Sequence, residues 1–170
     1  QKLLQNYQLE RVLAFIYPQD YLLGTGYQQY NSVMAIGSGM LTGKGLNSST
    51  LATVKDANLI SEQQTDFIFS VVGEELGFVG SVIIIAIIAL IVLQCTKVAR
   101  KAKDDEGMLI ATGVAALIAF QTFINIGVAT ALLPNTGLPL PFISYGLSSL
   151  ISSCAGIGLV LNIGLQRRKF

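Results

Sequence analysis

The chain has 170 residues, of which 52% are hydrophobic and only 12% charged, with a formal net charge of +1, no histidine and two cysteines. That charged share is half the about 25% usual in soluble domains, so a soluble globular domain is excluded as the first expectation. A near-neutral charge argues against a nucleic-acid partner, and the lack of histidine removes the commonest acid–base catalyst and metal ligand.

In chain order, residues 1–66 read as a loop outside the bilayer that carries short helices. One is expected over Tyr7 to Tyr17, ending before Pro18, and another over Gln28 to Ile36. The run A-I-G-S-G-M-L-T-G-K-G that follows is glycine-rich and presents one cation, Lys44. Because Gly45 follows Lys44, the order of a nucleotide-binding P-loop is not met, and ATP binding is not expected.

The first span is expected over residues 67–95. Its charge-free core, Leu76 to Leu93, has 18 residues, or about 27 Å of helix, close to the roughly 30 Å of bilayer hydrocarbon. From Gly107 to Gln166 no Asp, Glu, Lys or Arg occurs, a run that must hold two spans. Three prolines and Gly137 in L-P-N-T-G-L-P-L-P, Leu133 to Pro141, divide it, so spans are expected over 108–132 and 142–165. The fold class is therefore all-α: a polytopic integral membrane fragment with three transmembrane helices and a long outer loop, residues 67–170 forming the membrane domain.

Seven of the eleven cations form two clusters, Lys97 with Arg100, Lys101 and Lys103, and Arg167 with Arg168 and Lys169. Cationic flanks mark the cytoplasmic side, and three spans put both clusters there. The N-terminal loop and Asp66 then face outward, and the C-terminus lies in the cytoplasm. An outward N-terminus calls for a preceding span or signal, yet the chain opens Q-K-L-L-Q-N-Y-Q, so the expectation is the C-terminal part of a larger polytopic protein. Cys95 and Cys154 lie at or within apolar segments, and neither suggests a disulfide or metal site.

Asp66 stands directly before the first span. It reads either as a helix cap worth about 0.3 to 1 kcal/mol, or as an acid whose apolar surroundings fit it to act as general base toward a hydroxyl nucleophile. Glu74 and Glu75 fall about 12 and 13.5 Å further along the same helix. Carboxylates at that depth call for a polar contact, here sought in a helix outside this chain, with a functional role or an interfacial position as alternatives. Asn125, one turn from Gln121, is expected to hydrogen-bond across helices. Ser144, Tyr145, Ser148 and Ser149 at the outer start of the third span would let helices approach closely. Arg11 and Lys44 are either solvated cations or a clamp on a phosphate-bearing ligand.

Four motifs together carry a resemblance: Y-Q-x-x-R of Tyr7 to Arg11, the run Gly26 to Gly45, T-D-F-I-F-S-V-V-G-E-E-L-G of Thr65 to Gly77, and L-P-N-T-G-L-P-L-P-F-I-S-Y-G of Leu133 to Gly146. In order and spacing they resemble the last three helices of the RodA/FtsW/SpoVE, or SEDS, family with the outer loop that precedes them. Pro139 and the A-I-G-S-G run look more like the RodA branch.

The resemblance implies a peptidoglycan glycosyltransferase of the bacterial cytoplasmic membrane that joins lipid II units for cell-wall elongation, shape or division, alongside a class B penicillin-binding protein. It implies Asp66 as the catalytic residue. Lys44, Arg11 and Gln64 become candidates for binding the substrate or its pyrophosphate. No cofactor is evident, although a divalent cation could share the charge, and no metal-ligand cluster is visible. A lipid II transporter using Glu74 and Glu75, and a scaffold without catalysis, are the rival readings. Gln64 stands where the family usually has His, Ala131 where Gly is usual, and Leu147 interrupts S-Y-G-G-S; the last two are expected to alter packing rather than chemistry.

Overall fold

A computed structural model of the chain describes residues 11, 13–17, 25–45 and 65–166. Among these residues there is no strand. Residues 13–16 are helical, and four longer helices follow: α1 (Thr25–Ser38), α2 (Ile68–Arg100), α3 (Asp105–Ala129) and α4 (Leu147–Leu165). The last three are long and apolar enough to cross a membrane. α2 packs most extensively on α3, α4 packs on both, and α1 lies against α2 and α3.

The α2–α3 hairpin turns over four residues. Lys97 and Arg100 occupy the last turn of α2, and Asp104 caps α3, its side chain accepting a hydrogen bond from the Gly107 amide at 3.1 Å. Basic groups at a helix C-terminus and acidic ones at an N-terminus both complement the helix dipole. Small residues let the helices close up along this seam, where Cys95, Ala99, Ala111, Ala115 and Val160 form one buried cluster. A second cluster nearer Asp66 joins Phe69, Ile88, Ile118, Ala129 and Leu140. Large apolar side chains such as Leu90, Phe120, Phe123 and Leu161 stay exposed, the pattern of faces that meet lipid or further helices.

Helix bounds depart from expectation at the proline-rich break. α3 ends at Ala129, and α4 starts at Leu147 rather than at Phe142, because residues 141–143 turn and Phe142 takes a φ of 67°. Cys95 is buried, whereas Cys154 is exposed on α4, a helix that turns few residues inward.

α2 is not one continuous helix. At Gly77 the backbone takes φ 67° and ψ −165°, a region open essentially to glycine alone. In an unbroken helix the amides of Phe78 and Val79 would donate to the carbonyls of Glu74 and Glu75. Instead Phe78 and Val79 donate to Met40 and Leu41 at 2.9 and 3.2 Å, while Glu74 and Glu75 accept from Lys44 and Gly45 at 2.9 and 3.0 Å. The glycine-rich loop thus replaces two lost helical bonds with four of its own, as a backbone buried in or near a bilayer requires. The piece beyond the break, residues 78–100, still spans about 34 Å at 1.5 Å per residue.

Candidate functional site

The site is built where four segments meet: the turn 65–67, the end of α3, the proline-rich segment 133–144 and the polar face of α1. Phe67 is the N-cap of α2 and makes no side-chain capping bond, so the cap position does not fall to Asp66. Phe67 is fully buried with Val128, which sets the turn against α3.

Asp66 is half-buried. Its backbone carbonyl accepts a hydrogen bond from Asn125 Nδ2 at 2.8 Å, and the same amide nitrogen donates to the Leu138 carbonyl at 2.7 Å. Ser144 repeats the arrangement one residue upstream. Its hydroxyl donates to the Thr65 carbonyl at 2.6 Å and accepts from the Leu140 amide at 2.7 Å. The proline-rich segment is thereby drawn over the turn. Gly137, with φ 71°, comes so near that a Cβ built on it would lie 3.3 Å from Asp66 Oδ2. Asn125 Oδ1 is buried and has no hydrogen-bond partner among the described residues.

α1 supplies the floor. Gln29 Nε2 donates to the carbonyls of Val128 and Leu133 at 2.9 and 2.7 Å, and the Ser32 hydroxyl donates to Ala129 at 2.8 Å. The Ala129 carbonyl is one that the end of α3 leaves without a helical partner, Val128 also accepts from the Ala131 amide, and Leu133 lies beyond the helix. Below them, an apolar cavity of about 430 Å³ lies at the helix break, lined by Ile36, Met40, Phe69, Phe78 and Ile126 among others.

The sequence-derived candidates separate into groups. Asn125 joins Asp66 through the backbone. Lys44 joins Glu74: Nζ and Oε1 are 2.6 Å apart, with 18% of the lysine side chain and 1% of the glutamate side chain exposed. The partner of Glu74, sought outside this chain, therefore lies within it, and the break at Gly77 means that depth along a single helix axis does not apply. Glu75 is half-buried, and its carbonyl holds the loop at Gly45. Arg11 is half-buried at the first described helical turn, while Gln64 lies outside the described residues. No group of three or more His, Cys, Asp or Glu that could hold a metal ion occurs among the described residues.

Ser144 and Gly137 are the members that sequence reading does not single out as parts of the site. Their signal lies in the prolines: a segment with three of them cannot continue a helix, so its polar groups must bond elsewhere.

Comparison with known proteins gives a consistent picture. The model of a family described as cell cycle protein, FtsW/RodA/SpoVE, matches residues 2–169. A probable peptidoglycan glycosyltransferase FtsW from Geobacter metallireducens is 40% identical over 96% of this chain and 42% of its own length. Stage V sporulation protein E of Bacillus subtilis is 38% identical over 95% of this chain and 43% of its own. Peptidoglycan glycosyltransferase MrdB of Escherichia coli is 39% identical over 98% and 44%. The chain thus spans less than half the length of these relatives. Among solved structures, one described as showing structural coordination of polymerization and crosslinking by a peptidoglycan synthase complex matches with a TM-score of 0.74 at 33% identity, covering 98% of this chain and 44% of that one. The rod shape determining protein RodA of Thermus thermophilus matches with a TM-score of 0.57 at 42% identity, over 62% and 35%.

Proposed function

The chain belongs to the FtsW/RodA/SpoVE family, and on that premise we propose that, in its full-length context, it carries the catalytic carboxylate of a peptidoglycan glycosyltransferase that polymerises lipid II. The observation that carries this reading is the placement of Asp66: a half-buried carboxylate at the entrance of a membrane helix, with its backbone fixed by Asn125 and its side chain beside Gly137. The relatives named peptidoglycan glycosyltransferase support it.

In the proposed reaction, the GlcNAc 4-hydroxyl of one lipid II attacks the anomeric carbon of another's lipid-linked MurNAc. Asp66 takes the hydroxyl proton as the new glycosidic bond forms, and undecaprenyl pyrophosphate departs with the electrons of the broken bond. A positioned general base of this kind contributes about 10²- to 10⁴-fold to rate. Charge growing on the pyrophosphate needs cationic partners. Arg11 is the candidate in the first described turn. Lys44 serves only by exchanging Glu74 for phosphate, because its ammonium is already engaged. A divalent cation sharing this role would be held by one or two carboxylates together with the pyrophosphate itself.

The topology belongs to the same proposal. Both cationic clusters lie on the cytoplasmic side of a bacterial inner membrane, and Asp66 lies outside, where the sugar chain grows. The partner proposed is a class B penicillin-binding protein, which would crosslink the strand. A transporter would need Glu74 to gate or carry protons. Its close bond to Lys44 favours a structural role instead. Polymerisation of lipid II by wild-type and Asp66→Asn proteins tests the reading.

A further inference from the structure

In the turn that carries Asp66, the carbonyls at positions 65 and 66 are both bound by side chains from distant segments. Misplacement of a reacting group by about 1 Å can cost a reaction about 100-fold. Asn125 and Ser144 restrain the backbone that carries the carboxylate. Asn125 is 1% exposed and comes from α3, 59 residues away; Ser144 is 6% exposed and comes from the segment after the prolines, 79 residues away. Each side chain makes a second bond to the proline-rich segment, at Leu138 and Leu140. The same two groups therefore fix the turn and the wall that faces it, so the gap between Asp66 and Gly137 is set by their bonds.

We propose that Asn125 and Ser144 are positioning residues for the polymerase reaction: they hold the Asp66 carboxylate in register with the Pro134–Pro141 wall and act on the chemical step through Asp66, without touching substrate themselves. This inference rests on the reading of Asp66 as the base. Ser144→Ala removes one hydroxyl from a site that remains well packed, so it is the lead variant; Asn125→Ala is the second.

The test uses the purified full-length protein and lipid II as substrate, with steady-state kinetics and a thermal unfolding midpoint for each variant, alongside Asp66→Asn. Folded Ser144→Ala and Asn125→Ala are expected to lose about 10- to 100-fold in kcat with KM little changed, since ground-state binding is left intact. A wild-type kcat in both folded variants, beside an inactive Asp66→Asn, overturns the positioning role alone. A loss confined to KM, or one that tracks the unfolded fraction, also overturns it. Wild-type turnover by Asp66→Asn overturns the base reading and this inference with it.

Discussion

Lys44 Nζ lies 2.6 Å from Glu74 Oε1, and the Lys44 backbone amide donates to the Glu74 carbonyl at 2.9 Å, so one residue of the glycine-rich loop grips one residue of α2 twice. The glutamate is buried and the lysine only slightly exposed, so removing one charge leaves the other poorly solvated. Breaking a buried pair costs about 3 to 5 kcal/mol, and the lower end applies because Lys44 retains some solvent. Lys44→Ala and Glu74→Ala should each lower the unfolding midpoint of the full-length protein in detergent. The double variant should lose less than the sum, with a coupling of about 1 kcal/mol or more in a double-mutant cycle. Additive losses would show that the two charges are energetically independent.

The same pair bears on the leaving group. If Lys44 exchanges Glu74 for pyrophosphate, Lys44→Gln should lower kcat more than Glu74→Gln does. If Lys44 serves only Glu74, both variants should affect stability more than turnover. Kinetics and melting curves on the two proteins separate these outcomes.

Gly77 is the hinge of the break in α2. Alanine there would carry a backbone cost of about 1 to 3 kcal/mol, and its Cβ would collide with the Gly43 amide and the Leu41 carbonyl. Gly77→Ala should therefore reduce folded yield or the unfolding midpoint. Gly113→Ala is the control, since a Cβ there meets nothing within 4 Å and a helix-interior alanine is favoured over glycine. Equal behaviour of the two variants would contradict the break.

Ala131 occupies a left-handed position, φ 56°, just beyond the Thr130 cap of α3. Its amide donates to Val128 and the next amide, Leu132, donates to Gly127, the paired bonds of a Schellman ending. Such an ending normally uses glycine, because a Cβ in this conformation costs about 1 to 2 kcal/mol. The departure from the family's usual glycine thus acts on the backbone at a helix end. Ala131→Gly should stabilise the protein by about 1 kcal/mol and raise the unfolding midpoint without changing turnover. An unchanged or lower midpoint would count against the cap geometry.

The three spans were legible in the sequence because a charge-free run of sufficient length is a local property, visible at Leu76 to Leu93 and between Gly107 and Gln166. The position of Asp66, just before an apolar helix, was legible as well. The break at Gly77 was not, since glycine is tolerated in membrane helices and the bonds that stabilise this break come from residues 40–45, more than 30 positions away. Glu74 posed the same difficulty: its partner Lys44 is plain in the sequence, but nothing local joins two charges 30 residues apart. Ser144 was read as part of a helix because the run from Phe142 carries no charge, whereas Pro141 and the positive φ of Phe142 delay α4 to Leu147. Hydropathy reports which residues sit in the membrane; hydrogen bonds between distant segments decide how Asp66 is held.

The central claim is most directly tested by polymerisation of lipid II by the purified full-length protein, any glycosyltransferase activity of its partner being excluded, with glycan products resolved on a gel. Wild type is expected to yield long chains and a folded Asp66→Asn variant none, a loss at or beyond the about 10²- to 10⁴-fold owed to a general base. Chains of equal length and amount from both proteins would contradict the assignment of Asp66 as the base.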